Sequence, residues 1–320
     1  METNEIEVIK IDKNNSEEYK ERWEQFLVTF PQQNEIIFEH TFVSIASKPL
    51  QGHDIFSFIF LQQGNIIGLL PMYREKFLFL QRFVTPGLLS TMLTFKDAFS
   101  LIKKEFSLTA VYLAVFNRDF KRSNTTNDDE VAYTYLLDLK NKTADDIWKN
   151  DLEKDSRNLV RKAMKNGVTA TITRSQEDLK LFYPLYVEKM KQFGSHPYPL
   201  DYFTTLLKYY RESYVVNVRY QQNIIAGALL IMYNKTCSNP YAASDSQFLH
   251  RAPNNFMYWE CITFAVLKQC TLFDFGPSMP NNPVAKFKES MGGKPYLFEQ
   301  LIILNKFWYQ LFKLYKNLRV

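Results

Sequence analysis

Two stretches of the sequence decide the fold: residues 62–73 read QQGNIIGLLPMY, and residues 221–233 read QQNIIAGALLIMY. Each joins a polar turn to an apolar strand, and their first residues lie 221 − 62 = 159 positions apart, almost half of the 320-residue chain. Self-similarity at a fixed distance is the sequence signature of a duplicated structural unit. The sequence therefore predicts two copies of one plan, each containing an antiparallel hairpin.

The elements around the two hairpins follow the same plan. The first half predicts strand, helix, hairpin, strand, helix and two strands, at residues 5–11, 16–30, 53–73, 76–84, 95–106, 108–116 and 131–139. The second half predicts strand, two helices, hairpin, strand, helix, strand, helix and strand, at residues 168–173, 175–193, 201–212, 214–233, 239–244, 255–269, 271–275, 284–290 and 295–304. This order resembles that of a GNAT acyltransferase domain. We therefore expect an α/β fold with mixed α+β sheets, built from tandem duplicated GNAT (acyl-CoA N-acyltransferase) domains at residues 1–142 and 143–320.

Composition excludes several classes of protein. Lys+Arg number 39 against 34 Asp+Glu, and a net charge of +5 without a base-reading motif disfavours a nucleic-acid-binding protein. Hydrophobic residues make up 46% of the chain, which excludes a disordered protein. The 3 cysteines fit neither a zinc site nor a CxxC pair, and the 4 histidines are scattered, so we expect no metal. Since we find no signal peptide and no apolar run long enough to cross a bilayer, we expect a cytoplasmic protein.

Residues 143–166 predict one basic helix that links the two halves. Thr143 can cap its first turn, and Gly167 ends it. Apolar residues recur at helical spacing on one face: Trp148, Leu152, Leu159 and Ala163. Basic residues lie opposite within an arc of about 80°: Lys154, Arg157, Arg161 and Lys165. This stripe is either a solvated helix face or a surface for a phosphate-rich donor or acceptor.

From Leu136 onward, the sequence resembles the FemAB-like branch of the GNAT superfamily. That branch includes peptidoglycan interpeptide-bridge aminoacyltransferases and acetyltransferase-like proteins of envelope and polysaccharide loci. The similar stretches, in order, are LLDLKNKTADDIWKN (136–150), SRNLVRKAMKNGV (156–168), GSHPYPLDYF (194–203), IIAGALLIMY (224–233), PYAAS (240–244), FDFGPS (273–278) and FKESMGGKP (287–295). The first half resembles the family only through the internal repeat.

The resemblance implies an N-acyltransferase in which an amine attacks an activated acyl group without a covalent enzyme intermediate. The donor it implies is aminoacyl-tRNA or acyl-CoA, with no permanently bound cofactor, and the acceptor is an amine on a cell-envelope or polysaccharide precursor. Two alternatives stay open: an acyl-CoA-dependent N-acetyltransferase, and a catalytically silent binding module that holds a nucleotide-sugar or tRNA.

The resemblance also implies site residues. It places Lys288 of the Phe287–Lys288 pair at the donor site, where a cation can offset phosphate or oxyanion charge; otherwise Lys288 is an exposed lysine on a short helix. Arg157 and Arg161 would bind phosphate, or form only the solvated stripe.

The remaining candidates lie near strand ends in the second half. Asp274 and Ser278 flank the turn of FDFGPS, where Asp274 is either a proton acceptor or an aspartate that bonds loop amides. Tyr241, Ser244 and Asp245 lie where the central strand of a GNAT domain would meet the acyl group, with Asp245 a further catalytic candidate. Packing at the strand end is the alternative for Tyr241.

The expected donor depends on the segment after residue 245. Coenzyme-A-using members of the superfamily carry a glycine-containing loop there, whose amides wrap the pyrophosphate. This chain has HRAPNNFMYW at residues 250–259, with no glycine, which favours aminoacyl-tRNA.

The C-terminal segment combines aromatic and basic residues and has no acid after Glu299. We expect it either to pack on its domain or to lie peripherally at the inner membrane face, near a lipid-linked acceptor.

Overall fold

The computed structural model describes residues 5–29, 53–77, 80–85, 88–106, 110–116, 133–195, 197–233, 235–278, 282–297, 299–302 and 305–318. The described strands, numbered along the chain, are β1 (Ile6–Ile11), β2 (His53–Gln62), β3 (Asn65–Phe77), β4 (Leu80–Thr85), β5 (Leu89–Ser90), β6 (Ala110–Phe116), β7 (Tyr133–Asp138), β8 (Val168–Thr173), β9 (Ser213–Tyr220), β10 (Asn223–Tyr233), β11 (Thr236–Ser244), β12 (Leu272–Ser278), β13 (Lys294–Leu297) and β14 (Glu299–Ile302). The described α-helices are α1 (Ser16–Val28), α2 (Phe95–Ile102), α3 (Ala144–Asn150), α4 (Lys154–Lys165), α5 (Gln176–Gln192), α6 (Leu200–Tyr209), α7 (Pro253–Leu267), α8 (Pro283–Ser290) and α9 (Lys306–Leu318).

The chain divides into two compact units. One comprises Met1–Val131 together with Leu297–Val320, and the other comprises Ala132–Tyr296. This division differs from the predicted boundary between residues 142 and 143 in two places. The strand β7 belongs to the second unit because it pairs with β12, and the C-terminal segment belongs to the first because β14 pairs with β6.

The first unit contains a mixed sheet with the strand order β1-β2-β3-β4-β6-β14, and β5 pairs with β3. The β4–β6 pair is parallel, and the other pairs are antiparallel. Aromatic residues of β2 fill the core on one face, where Phe58 and Phe60 pack with α2 residues Ala98 and Ile102. On the other face, α1 buries Trp23 against the sheet. The C-terminal helix α9 lies against β6.

The second unit contains a sheet with the strand order β13-β7-β12-β11-β10-β9-β8. Its largest core lies on the face covered by α4 and α7, where Ala226 and Ala228 of β10 meet Ile262 of α7. The side chains of a strand alternate between faces, so Gly227 points to the opposite face, which α5 covers. A Cβ atom on Gly227 would lie 2.6 Å from Cδ2 of Phe182. The glycine therefore allows α5 to approach β10 closely.

The duplicated hairpins predicted from the sequence are confirmed. Gln63 and Gln221 occupy the two turns with φ of 49° and 54°. Both hairpins also shift register directly after the turn, at Ile67 in β3 and at Ile225 in β10. A bulge at the same place in both copies is a further sign of a shared plan, because bulges are conserved features of a sheet.

The predicted linking helix 143–166 is wrong as a single helix, since the structure contains α3 and α4 separated by a short turn. Thr143 caps α3 in a capping box with Asp146, as its sequence position indicates. The chain leaves the helix at Asp151, and Leu152 is buried in the turn. The buried face of α4 is consequently formed by Ser156, Val160 and Ala163, while Leu159 is 38% exposed.

Candidate active site

The sheet of the second unit opens between β11 and β12. These parallel strands pair only at Thr236–Leu272, Cys237–Phe273 and Ser238–Asp274. Beyond that point β11 continues along β10 as far as Ser244, and β12 continues along β7 as far as Ser278. The two strands therefore part after Ser238 and Asp274, which creates an opening at the carboxyl ends of two parallel strands. Open α/β sheets commonly bind ligands at such ends.

A bulge in β11 lies where the opening begins. In the β10–β11 ladder, Ile231 pairs with Ser238 but Leu229 pairs with Tyr241. Asn239 and Pro240 of β11 therefore oppose a single residue, Leu230, which is the definition of a bulge.

Lys288 lies beside this opening and is buried, with 4% of its surface exposed. Its Nζ donates hydrogen bonds to the carbonyl oxygens of Gly276 and Pro277, both at 2.9 Å, and to Oγ of Ser278 at 2.8 Å. Burial lowers the pKa of Lys288 to about 8, and the charge of Asp274 acts in the opposite direction. The alternative of an exposed lysine is thus excluded.

The sequence FKESMGG holds Lys288 in place. Helix α8 starts at Asn282, whose side chain accepts a hydrogen bond from the Ala285 amide, and it ends in a turn that needs glycine. Gly292 has φ of +95°, and its amide donates to the carbonyl of Glu289. A Cβ atom on Gly293 would lie 2.9 Å from the carbonyl oxygen of Lys288. The glycine pair therefore closes the turn tightly behind the lysine.

Asp274 is buried on β12 and fixes the end of that strand. Its Oδ1 accepts hydrogen bonds from Oγ1 of Thr134 on β7 and from the amide of Gly276, both at 2.8 Å. These contacts favour the alternative in which Asp274 bonds loop amides. The carbonyl oxygens that accept hydrogen bonds from Lys288 belong to Gly276 and Pro277, in the turn that Asp274 fixes. Lys288 and Asp274 therefore hold the same turn.

Three hydroxyl-bearing or amide side chains connect α4, α7 and α8 behind the site. Ser156 donates to Ser290 at 2.9 Å, Asn255 donates to Ser156 at 3.4 Å, and Ser290 donates to the carbonyl of Phe287 at 2.8 Å. This network fixes α8 relative to the core of the unit.

A cluster of three aromatic side chains begins at Phe287, the residue before Lys288. Phe287 contacts Tyr258 of α7 edge to face, with centroids 5.1 Å apart, and Tyr258 stacks on Phe275 of β12 at 5.6 Å. Burial raises the pKa of Tyr258 to about 12, while the neighbouring side chain of Asn239 acts in the opposite direction. Tyr258 is therefore a neutral phenol at physiological pH.

Tyr241 belongs to a second cluster, formed by β11, α5 and α6. Its hydroxyl lies 2.9 Å from the hydroxyl of Tyr202, and burial is the main cause that raises its pKa well above the usual value. The rings around it are those of Tyr186, Tyr198, Tyr202 and Phe203. Packing therefore explains this tyrosine at least as well as contact with a ligand.

Ser244 and Asp245 lie at the end of β11, away from Lys288 along the strand. Ser244 pairs with Ala226 of β10. The side chain of Asp245 accepts a hydrogen bond from the Gln247 amide and thereby caps a 3-10 helix, Ser246–Arg251. The structure gives Asp245 this capping contact, and its predicted catalytic role stays a prediction.

Arg157 and Arg161 lie on α4, and their contacts differ. The guanidinium of Arg157 bonds the carbonyls of Trp148, Lys149 and Leu152 at the end of α3. Arg157 therefore holds two helices together instead of lying on a solvated stripe. Arg161 is exposed, lies 5.1 Å from the ring centroid of Trp148, and keeps its charge at the surface.

The structure thus brings together four of the predicted residues: Lys288, Phe287, Asp274 and Ser278. Sequence reasoning missed Thr134, Tyr258 and Asn239. A signal for Asn239 was present, since a proline such as Pro240 inside a strand is confined to edges and bulges. Thr134 and Tyr258 carry no local signal, because only the fold brings them to β12.

The opened sheet and its duplicated hairpin define a protein of the GNAT acyltransferase fold. Residues 96–220 match the model of the FemAB family. The matched segment ends with β9, so it contains the stretches at 136–150, 156–168 and 194–203, and it does not contain Lys288.

Solved structures show the same fold. A structure of FemX is 17% identical, with 95% of this chain and 99% of that chain covered and a TM-score of 0.61. A tandem GNAT protein from the clavulanic acid biosynthesis pathway is 11% identical, with 94% and 99% covered and a TM-score of 0.58. The C-terminal domain of a putative lysylphosphatidylglycerol synthetase from Agrobacterium fabrum is 13% identical, with 91% and 93% covered and a TM-score of 0.59. No curated protein matches the sequence.

Two absences concern only the part of the chain that the structure describes. Within it, none of the helices combines the length and apolar composition that a membrane crossing requires. The same residues contain no cluster of three or more His, Cys, Asp or Glu side chains suited to a metal ion.

Proposed function

We propose that this chain is an N-acyltransferase that moves an aminoacyl group from aminoacyl-tRNA to an amine on a cell-envelope precursor. The observation that carries the proposal is the match to the FemAB family in a chain whose buried Lys288 lies at the opening between β11 and β12. The name of the lysylphosphatidylglycerol synthetase, which has the same fold, also describes attachment of an aminoacyl group to an envelope molecule.

The proposed reaction is direct transfer. The lone pair of the acceptor amine attacks the carbonyl carbon of the aminoacyl ester, a C–N bond forms, and the carbonyl oxygen gains negative charge. The C–O bond to the tRNA ribose then breaks, and the proton lost by the amine goes to the ribose hydroxyl. The protein must bind both reactants in line and stabilise the oxyanion.

Lys288 is the residue we propose for the oxyanion. Its ammonium group has three N–H donors, and three oxygen atoms of the turn at residues 276–278 accept hydrogen bonds from them. Ser278 is the partner most easily exchanged, because its hydroxyl can rotate whereas the two carbonyls are fixed by the backbone. We propose that the oxyanion takes the place of Ser278, while Asp274 keeps the turn in shape as a positioning residue.

The start of α7 supports aminoacyl-tRNA over acyl-CoA. The helix is preceded by Ala252 in the left-handed conformation, with φ of 56°, and begins with Pro253, which has no N–H. A pyrophosphate-binding loop needs several consecutive amides at a helix N-terminus. Pro253 removes one of them, and the preceding amide of Ala252 is bonded to Leu249.

A binding measurement tests the donor. The protein is titrated with acetyl-CoA, with free CoA and with a non-hydrolysable aminoacyl-tRNA, and the melting temperature is followed, since a ligand of the native state raises it by mass action. We expect stabilisation by the aminoacyl-tRNA alone. Saturable stabilisation by acetyl-CoA at micromolar concentration would favour the acyl-CoA-dependent N-acetyltransferase, and binding of a ligand without any turnover would favour a silent binding module.

Two expectations about location stay predictions. The cytoplasmic location is one, and peripheral contact of α9 with a membrane is the other. In α9, Phe307 is 66% exposed and Leu314 is 61% exposed, and Lys306 is exposed as well. Liposome flotation with and without residues 304–320 decides the second, because equal recovery in the lipid fraction contradicts a membrane role for α9.

A further inference from the structure

Asn239 is a buried amide for which the described residues provide no hydrogen-bond partner of ordinary geometry. Asn239 is 5% exposed, and neither its Nδ2 nor its Oδ1 makes a hydrogen bond of ordinary geometry within the described part of the chain. Native proteins pair nearly all such groups, so an unpaired buried amide indicates a missing partner. Asn217 makes the contrast clear. Its Oδ1 is also without a partner, but its Nδ2 anchors α5 by donating to the carbonyl of Asp178 at 2.9 Å.

The place of Asn239 in the fold points to a ligand as that partner. Asn239 directly follows Ser238, the last residue of β11 that pairs with β12, and it forms the bulge together with Pro240. The opening between the two strands therefore begins at this side chain. Its neighbour is the hydroxyl of Tyr258, and a weak hydrogen-bonding contact from the Asn239 side chain lowers the pKa of that phenol. The contact lies outside the distance and angle limits of an ordinary hydrogen bond, so it leaves the amide without a full partner. The ring of Tyr258 stacks on Phe275.

The chemistry of a carboxamide selects the kind of group that fits. Asn239 presents an N–H donor and a C=O acceptor side by side on one edge. A complementary ligand must present an acceptor and a donor side by side as well. An α-aminoacyl ester does so, because its carbonyl oxygen and its α-amino nitrogen lie on the same edge when the N–Cα–C=O torsion is near zero. A trans amide, such as those in the pantetheine arm of CoA, presents its oxygen and its N–H on opposite edges.

We infer that Asn239 reads the aminoacyl group of the donor, with Nδ2 donating to the acyl carbonyl oxygen and Oδ1 accepting from the α-amino group. This inference rests on the proposed function and deepens it, since it gives the chain a means to distinguish an aminoacyl donor from a simple acyl donor. Asn239 is then a specificity residue of the opening between β11 and β12.

The test compares two probes that differ only in the α-amino group: adenosine with a 3′-alanylamino substituent, and its 3′-propionylamino counterpart. We expect the wild type to bind the alanyl probe about tenfold more tightly, the effect of one good hydrogen bond. In Asn239→Leu, which keeps the volume and removes the polar atoms, we expect the ratio of the two dissociation constants to fall to about one. Asn223→Ala, at an exposed asparagine that starts β10, should keep the wild-type ratio.

Folding of the leucine variant is followed by its melting temperature, which should not fall because the substitution removes an unpaired buried amide. Equal binding of the two probes by the wild type, binding of neither, or an unchanged ratio in Asn239→Leu would overturn the inference; the last result would leave an ordered water as the partner. Transfer from charged tRNA is measured separately. Transfer with an unchanged probe ratio rejects Asn239 alone, whereas acetyl-CoA turnover without transfer from tRNA rejects the proposed function.

Discussion

Lys288 is a charged side chain that is buried, and its burial makes the free energy of unfolding depend on pH. The pKa of Lys288 is about 8 in the folded protein and 10.5 in the unfolded chain, because burial disfavours the ammonium form. Between these values the unfolded state binds more protons, so the free energy of unfolding rises with pH. The stabilisation is present above pH 10.5 and is lost as the pH falls through about 8.

We therefore expect the wild type to gain about 1–2 kcal/mol relative to Lys288→Met when the pH is raised from about 7.5 to 9.5. Urea unfolding at the two values measures the difference. Lys286→Met, which removes an exposed lysine of the same helix, should follow the wild type. The same pH dependence in wild type and Lys288→Met would show that Lys288 does not titrate in this range.

The two arginines of α4 should behave differently when each is replaced by alanine. Arg157 bonds three carbonyls at the end of α3, so its removal should lower the free energy of unfolding by about 1–2 kcal/mol. Arg161 is exposed, and its removal should change stability by less than about 0.5 kcal/mol. Chemical denaturation of both variants checks this, and equal losses would contradict the assignment of Arg157 to the α3–α4 turn.

At the level of secondary-structure elements, the contact of α5 with β10 depends on Gly227. A Cβ atom there would lie 2.6 Å from Phe182 and 2.8 Å from the carbonyl oxygen of Val216. We expect Gly227→Ala to destabilise the second unit by roughly 2–3 kcal/mol, as overpacking of a well-filled core does. The matched variant is Gly68→Ala in the first hairpin, where the nearest atoms lie at 3.3 Å, and it should lose less. Thermal unfolding compares the two, and a larger loss for Gly68→Ala would refute this account of the helix contact.

Some secondary-structure elements could be predicted from the sequence, and others could not. The hairpins were predictable because a turn and an alternating or apolar strand are local patterns, and the helix caps Thr143 and Ser175 were visible for the same reason. The break between α3 and α4 was hidden, because Trp148, Leu152 and Leu159 keep helical spacing across it. The helix is interrupted where Leu152 is buried in the turn between α3 and α4, and burial is a property of the tertiary structure.

The same limit applies to the candidate site. Lys288 and Phe287 were found through resemblance to a family, and Asp274 and Ser278 through their position at the end of a predicted strand. Their bonds, however, depend on Thr134 and on the turn at residues 276–278, and 140 positions separate Thr134 from Asp274 in the sequence. The three hydrogen bonds of Lys288 require contact between α8 and β12, and no local sequence pattern specifies that contact.

For the whole molecule, the return of the C-terminal segment to the first unit has a testable consequence. The strand β14 pairs with β6, and α9 lies against β6. Removing residues 298–320 should therefore increase amide hydrogen exchange in β6 and leave exchange in β12 unchanged. A second domain at residues 143–320, as the sequence predicts, would place the C-terminal segment with β12 instead. Faster exchange in β12 with protected β6 would therefore favour the division at residues 142 and 143.

The most direct test of the proposed activity is transfer of a labelled aminoacyl group. Charged tRNA is incubated with the protein and a peptidoglycan precursor that carries a free amine, with acetyl-CoA as the competing donor. We predict labelled product from the charged tRNA and none from acetyl-CoA, with the rate reduced at least about 100-fold in Lys288→Met, as loss of an oxyanion donor does, and unchanged in Lys286→Met. Transfer from acetyl-CoA alone, or a Lys288→Met variant as active as the wild type, would contradict the account.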